Sequence, residues 1–225
     1  MRLSKRLEAI AELVPQDSSV LDVGSDHALL DIYLVETGRV RQVIASDVHE
    51  GAYLQGKQNV RRAFLEDQID LRLGDGLSVL TPQDSVDTVV IAGMGGNTMV
   101  EIFRAAPEEL TRIPRLVLQP NNAIVAVRET LTQEFSYQIE EERLVKEHGI
   151  IYTILAFTKG DCRYSDSELL MGPQLLQQKD ELFYEVNQKL IQSYQDLLKK
   201  IPESAVSRRQ HIEQIVEQLQ KQLYE

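Results

Sequence analysis

A chain of 225 residues with 43% hydrophobic residues is long enough to bury a substantial core, in one large domain or in one domain with a small appendage. It has no apolar run of the roughly 20 residues that a membrane span needs, and no apolar N-terminal segment typical of a signal peptide, so we expect a cytoplasmic protein. The single cysteine, Cys162, excludes an intrachain disulfide and a cysteine-based metal site, and the net charge of −11 disfavours a nucleic-acid partner without forbidding one.

The first predicted element is a helix over residues 3–14, where apolar residues recur at helical spacing until Pro15 ends the pattern. Strand-like apolar runs then alternate with amphipathic segments. The predicted strands cover residues 20–23, 43–46, 69–73, 86–92 and 116–118, and the predicted helices between and after them cover about 28–37, 50–64, 95–105 and 122–134. This alternation predicts right-handed βαβ crossovers and a parallel sheet.

Two further extended runs, residues 137–145 and 150–158, have only a short turn between them. With no helix to cross over, they are expected to pair antiparallel at the edge of the sheet. Five parallel strands closed by such a hairpin make a seven-stranded sheet that differs from the all-parallel sheet of a nicotinamide-binding domain. The predicted fold class is therefore α/β, with a Rossmann-like methyltransferase domain over residues 1–160.

Residues 161–225 are expected to form a separate helical domain. From about Leu169 the apolar residues follow heptad-like steps, residues 202–204 break the pattern, and a second helix follows. The apolar positions are Leu176, Phe183, Val186, Leu190, Tyr194, Leu197 and Ile201, then Ile212, Ile215, Leu219 and Leu223. This spacing predicts an antiparallel coiled-coil hairpin, which either packs on the main domain or projects as an arm that holds a partner.

The turn after the first predicted strand contains Gly24, Ser25 and Asp26, and it leads into a helix. A glycine there lets the backbone approach a cofactor, and the helix N-terminus supplies free N–H groups. A dinucleotide fingerprint would need glycines where this chain has Asp26 and Leu29. The Asp26 carboxylate would repel a pyrophosphate, whereas S-adenosylmethionine has no phosphate and carries an ammonium and a sulfonium that Asp22 and Asp26 can hold. The motif therefore favours S-adenosylmethionine over NAD.

Further acids follow the next two strands. Asp47, with Val48 after it, closes the second strand about twenty residues beyond the glycine, where an acid can accept both ribose hydroxyls. Asp75 lies between Gly74 and Gly76 and can accept from an adenine amino group. Each acid alone could equally be a turn or cap residue. Their shared position at the carboxyl ends of successive strands favours a cofactor site, because open α/β sheets bind ligands there.

The fourth and fifth strands end in segments suited to the acceptor side of the site. Ala92, Gly93 and Met94 offer an open backbone wall beside the transferred methyl group. Gln119 and Asn121 present two amides that could contact a base edge, although a plain strand-to-helix turn with an asparagine cap is the alternative.

Together these motifs resemble the bacterial tRNA (adenine-22-N1)-methyltransferase family, the TrmK-like proteins. The resemblance is carried by residues 3–7, 22–27, 74–77, 92–96, 118–121, 147–149 and 169–173, nearly the whole length of the chain. It implies S-adenosylmethionine as the cofactor and methylation of N1 of adenine 22 in a tRNA. The chain departs from the family at Leu29 and Asp31, where a tyrosine and a proline are expected, and no role is assigned to either residue.

Methylation of N1 needs no general base, because the lone pair attacks the methyl group directly and the ring becomes cationic. Asp26 is the first candidate to place negative charge near that cation, Gln119 and Asn121 could hold the exocyclic amine, and His27 could contact the base or only begin a helix. A paired target adenine must leave its stack, so the hairpin is expected to hold the rest of the RNA.

Other functions remain open on the sequence. The acceptor could be a small molecule or a protein, or the chain could be a non-catalytic module that binds S-adenosylmethionine or RNA. Asp26 and the terminal hairpin disfavour an NAD-dependent oxidoreductase. No metal site is expected, and the oligomeric state stays open with a monomer preferred.

Overall fold

The computed structural model describes residues 2–224. Within it the chain divides into two compact units, Met1–Cys162 and Arg163–Glu225. The first contains every strand of the sheet together with the helices that cover it, and the second is helical. No helix in the described part of the chain is both long and apolar enough to cross a membrane.

The first unit is built on a mixed sheet of seven strands. They are β1 Ser18–Val23, β2 Val40–Asp47, β3 Ile69–Leu73, β4 Thr88–Met94, β5 Arg115–Pro120, β6 Tyr137–Glu147 and β7 Ile150–Lys159. The order across the sheet is β3-β2-β1-β4-β5-β7-β6. The first five strands are parallel, and β7 pairs antiparallel with both β5 and β6. The predicted α/β fold class and the terminal hairpin are confirmed.

Helices connect the parallel strands in the predicted places. They are α1 Lys5–Leu13, α2 Leu29–Glu36, α3 Glu50–Arg62, α4 Gly96–Ala105, α5 Pro107–Arg112 and α6 Ile124–Gln133, with a 3₁₀ turn at Gly76–Val79. The sequence analysis missed α5 and the 3₁₀ turn. Each covers less than two turns of helix, which is too short to show helical periodicity.

Apolar residues fill both faces of the sheet. On one face α1, α2 and α3 join a core that includes Val20, Val43, Val90 and Val117. The alternate strand residues, such as Leu21, point to the opposite face and are also fully buried. A sheet covered on both faces leaves its strand ends as the place for a ligand.

A buried ion pair ties α6 to β6. The guanidinium of Arg128 lies 2.7 Å from the carboxylate of Glu142, and its Nε donates to the same oxygen at 2.8 Å. Both side chains are nearly inaccessible, at 3% and 0% exposure. Because both charges are removed from water, loss of either side chain would leave the other charge buried without its counterion, which is strongly destabilising.

The second unit consists of two short and two long helices. They are α7 Asp166–Met171, α8 Pro173–Gln178, α9 Glu181–Lys200 and α10 Val206–Tyr224. Lys179, just before α9, donates to the carbonyl of Gln222 near the end of α10 at 2.7 Å. At the other end Arg209 donates to the carbonyls of Leu198 and Ile201 at 2.8 and 2.9 Å. The two long helices are therefore antiparallel, as predicted.

The start of this unit differs from the sequence analysis, which predicted one helix from about Leu169. Gly172 and Lys179 have positive φ and divide this stretch, so that Leu176 belongs to α8. In α9 the buried residues are Phe183, Asn187 and Ile191. Asn187 is tolerated because its amide donates to the carbonyl of Phe183 at 2.8 Å, one turn earlier.

Candidate active site

A cavity of about 750 Å³ opens at the carboxyl ends of the parallel strands, in the first unit. It lies at the ends of β1 and β4, which are neighbours in the sheet although β2 and β3 lie between them in the chain. All the predicted cofactor residues and two predicted catalytic residues line it: Asp22, Gly24, Ser25, Asp26, His27, Asp47, Val48, Gly74, Asp75, Gly76, Ala92, Gly93 and Met94. The volume is typical of a small-molecule site.

The turn after β1 has an unusual backbone. Gly24, Asp26 and Ala28 have φ angles of 74°, 53° and 55°. A Cβ on Gly24 would lie 2.3 Å from the Cε of Met94, the flexible end of that side chain, so the positive φ is the main reason for glycine at this position. The amides of Gly24 and Ser25 donate to the carbonyl of Ser46 at 2.8 and 3.0 Å, which fixes the turn to β2. Left-handed residues of this kind cluster at ligand sites.

Asp26 and His27 line the cavity with accessible side chains. The Asp26 carboxylate is 71% exposed and the His27 ring 49%, and their Oδ1 and Nε2 atoms are 3.7 Å apart. The backbone carbonyl of His27 accepts from the Asn59 side chain at 3.0 Å. The position of Asp26 is thus fixed by its backbone conformation and not by buried partners of its side chain. Its carboxylate is therefore accessible to a ligand.

Asp47 ends β2 with a buried carboxylate. Its Oδ1 accepts from the backbone N–H of His49 at 2.8 Å and lies 3.2 Å from the ring Nδ1 of the same residue. This leaves Oδ2 for a ligand. Asp75 is exposed at the end of the turn after β3. The two carboxylates lie on the side of the cavity formed by β2 and β3.

Asp22 and Asp31 form a buried acid pair. Asp22, on β1, lines the cavity and is 4% exposed, whereas Asp31, on α2, is fully buried. Burial raises the pKa of Asp22 to about 7, while the hydrogen bond from Asp31 lowers it and the charge of Asp47 raises it. Burial, and next the charge of Asp22, raise the pKa of Asp31 well above its usual range. Both shifts favour the protonated carboxyl over the carboxylate.

This acid pair makes stability depend on pH. A carboxyl group whose pKa is raised by folding stabilises the protein below its unfolded pKa near 3.8, and that contribution is lost as the pH rises toward the folded pKa. We expect Asp31→Asn to make the slope of the unfolding free energy between pH 5 and pH 7 less negative by about 1.4 kcal/mol per pH unit, the value for one proton. Urea unfolding at several pH values measures the slope, and an unchanged slope would contradict the assignment.

Gln119 and Asn121 do not line the cavity. Gln119 is fully buried, its amide donates to the Asn121 oxygen at 3.1 Å, and its own oxygen accepts from Arg6. Asn121 donates to the carbonyl of Gly93 at 2.6 Å. Both amides therefore have partners within the protein, and their predicted contact with a base stays a prediction.

Arg6 is the most informative residue that the sequence analysis missed. It lies on α1, lines the cavity, and its guanidinium is 5.3 Å from the ring centre of Tyr152. Its backbone N–H donates to Glu147 at 3.3 Å. The segment 3–7 carries part of the family resemblance, but the sequence assigns no role to Arg6. The other missed residues, such as Thr98 and Ile102 on α4, have no sequence signal that separates them from ordinary helix residues.

The chemistry of the cavity fits S-adenosylmethionine. Four carboxylates line it, from Asp22, Asp26, Asp47 and Asp75, and Arg6 is the one lysine or arginine among the described lining residues. Such a set suits a cationic ligand with ribose hydroxyls and opposes a pyrophosphate. Within residues 2–224 no group of His, Cys, Asp and Glu is arranged to hold a metal ion.

Comparison with known proteins agrees with this geometry. A family model described as tRNA (adenine(22)-N(1))-methyltransferase matches residues 20–223. The Bacillus subtilis protein of that name is 35% identical over 211 residues, which are 91% of this chain and 88% of that protein. The structure of Streptococcus pneumoniae Sp1610 in complex with S-adenosyl-L-methionine has 35% identity and a TM-score of 0.86, over 99% of this chain and 100% of that chain. The B. subtilis M1A22 tRNA methyltransferase TrmK has 30% identity and a TM-score of 0.91, over 99% of each chain.

Proposed function

This chain belongs to the tRNA (adenine(22)-N(1))-methyltransferase family, and we propose on that premise that it transfers a methyl group from S-adenosylmethionine to N1 of adenine 22 in tRNA. The observation that carries the proposal is the acid-lined cavity at the ends of β1 to β4. Its fold is that of a relative whose structure is a complex with S-adenosyl-L-methionine.

We propose that three of the four cavity carboxylates would hold parts of the cofactor. Asp47 would accept from the ribose hydroxyls through Oδ2, since His49 contacts Oδ1. Asp75 would accept from the adenine amino group, and Asp22 would bind the ammonium of the methionine part. The turn at Gly24 lets the backbone lie against the ligand.

The bound cofactor supplies a methyl group on a cationic sulfur. The residues of the chain then have two tasks, to align the adenine and to stabilise the positive charge that the ring gains. Asp26 performs the second task with its accessible carboxylate. His27, beside it, contacts the adenine that has left its stack. Gln119 and Asn121 act indirectly, since they fix Arg6 and the carbonyl of Gly93.

The test is methyl transfer by the full chain to unmodified tRNA. The tRNA is incubated with the enzyme and S-adenosylmethionine labelled in its methyl group, and its nucleosides are then separated by mass spectrometry. We expect label in 1-methyladenosine, and its loss when adenine 22 is replaced by guanine. Label in another nucleoside, or only in a protein or small molecule, would contradict this function and would support a methyltransferase that acts on that acceptor.

The helical hairpin of the second unit is proposed to hold the tRNA. Lys199, Lys200 and Arg208 lie exposed near the turn that joins α9 to α10, and we refer to them as the basic tip. They are accessible to phosphates, although the chain as a whole is acidic and Lys199 pairs with Asp196 at 2.7 Å. Neighbouring Arg209 is less exposed and donates to two carbonyl groups, so it is not part of the tip.

The double variant Lys200→Glu, Arg208→Glu is expected to weaken tRNA binding about tenfold and to lower the slope of log affinity against log salt by about 2. The dissociation constant for S-adenosylmethionine should not change, because the cavity lies in the first unit. Fluorescence anisotropy of labelled tRNA at several salt concentrations measures both quantities. The control Lys189→Glu, Lys221→Glu makes the same charge change away from the tip, and equal weakening by both pairs would refute a role for the tip.

The working unit is proposed to be a cytoplasmic monomer. tRNA is a cytoplasmic substrate. Light scattering of the full chain, with and without tRNA, measures the molar mass, and the mass of two copies in solution would contradict a monomer.

A further inference from the structure

Asp31 combines three properties that a structural residue rarely has together. Its side chain is ionisable, the residue is fully buried, and neither of its carboxyl oxygens has a hydrogen-bond donor among the described residues. An isolated buried acid is costly unless it has a function or a partner that shares its proton.

The group that Asp31 faces is the carboxyl of Asp22, within hydrogen-bonding reach. Around the pair, α2 contributes the buried aliphatic residues Leu30 and Ile32, which cannot donate. The charge of Asp47 on β2, whose carboxylate contacts the ring of His49, also acts on Asp22. Arg6 lines the same cavity but donates to Gln119. No cation described in the structure therefore neutralises the pair directly.

We propose that Asp31 is a positioning residue, which keeps a proton and donates it in a hydrogen bond to Asp22, and so sets the pH range in which this chain binds S-adenosylmethionine. The inference rests on the proposed function, because it concerns the cofactor at the same cavity. Two buried carboxyl groups in contact cannot both be ionised, so they share one proton. Asp31 keeps it because it is the more deeply buried, and Asp22 keeps the negative charge because it faces the cavity.

The shared proton has a direct consequence for binding. With one proton the pair presents a single negative charge to the ammonium of the cofactor. With two protons it presents none, so affinity falls as the pH decreases through the range in which Asp22 gains its proton. The hydrogen bond from Asp31 favours the ionised form of Asp22 and shifts that range downward.

The test compares Asp31→Asn with Asp31→Leu in the full chain. Asparagine keeps a donor of similar shape, whereas leucine has similar size and no donor. Calorimetric titration with S-adenosylmethionine from pH 5.5 to 8.5, in two buffers with different ionisation enthalpies, gives the affinity and the number of protons released. Wild type and Asp31→Asn are expected to gain affinity over the same pH range, with proton release on binding.

For Asp31→Leu we expect that range to move up by about one pH unit, so that the affinity at pH 7 is roughly tenfold weaker and recovers toward pH 8.5. The inference would be overturned if both variants bound S-adenosylmethionine with wild-type affinity at every pH. It would also be overturned if the affinity of Asp31→Leu were lower than that of wild type by the same factor at every pH. Absence of cofactor binding by wild type throughout would instead refute the proposed function, and this inference with it. Circular dichroism of each variant confirms that the fold is retained.

Discussion

Replacement of Asp26 by asparagine is expected to lower kcat about 100-fold, the usual effect of removing one electrostatic contact to a transition state. The dissociation constant for S-adenosylmethionine should stay close to that of wild type, because Asp22 and Asp47 remain. The physical reason is that asparagine keeps the shape and backbone preference of aspartate but not the negative charge that stabilises the cationic adenine. Single-turnover methyl transfer and a separate cofactor titration distinguish the two quantities.

Asp17 provides a matched control for this experiment. It has a φ of 63°, against 53° for Asp26, and its carboxylate is 61% exposed, but it lies outside the cavity and contacts Arg41. Asp17→Asn should therefore leave turnover unchanged. Near-normal turnover by Asp26→Asn, with cofactor binding intact, would show that the charge of Asp26 does not act in methyl transfer.

Replacement of Glu142 by alanine is expected to lower the free energy of unfolding by about 3–5 kcal/mol, since it leaves the buried guanidinium of Arg128 without its carboxylate partner. The effect should be seen as a lower urea midpoint in circular dichroism. The double variant Arg128→Met, Glu142→Leu should recover much of the loss, because it removes both charges and fills a similar volume.

The ion pair of Arg104 and Glu134 is the control, because it is chemically similar but accessible, with side-chain exposures of 54% and 43%. Glu134→Ala should cost less than about 1 kcal/mol, as solvent replaces the lost partner. Equal costs for Glu142→Ala and Glu134→Ala would mean that the buried pair contributes no more than the surface pair.

The sheet could be predicted from the sequence because its signals are local. Each parallel strand is an apolar run followed by a polar turn, and the missing helix between β6 and β7 predicts their antiparallel pairing. The early part of the second unit was predicted less well. Gly172 and Lys179 divide its helices through backbone conformations that the heptad-like spacing does not reveal.

The candidate site was predicted in the same uneven way. Asp22, Asp47 and Asp75 could be found because a strand end is visible in the sequence and the topology brings those ends together. Gln119 also lies near a strand end, yet its side chain is buried and bonds to Arg6. Whether a side chain at such a position faces a cavity or the interior depends on tertiary contacts, here with α1, that no local pattern contains.

The contacts of Arg6 also bear on the order in which the site is completed during synthesis. Arg6 is synthesised before both of its partners, because its side-chain partner Gln119 follows 113 residues later and its backbone partner Glu147 follows 141 residues later. A nascent chain that has made only β1 to β4 already contains the four cavity carboxylates, but Arg6 has neither partner. The part of the cavity wall that Arg6 forms therefore gains its contacts only after β5 and β6 have emerged.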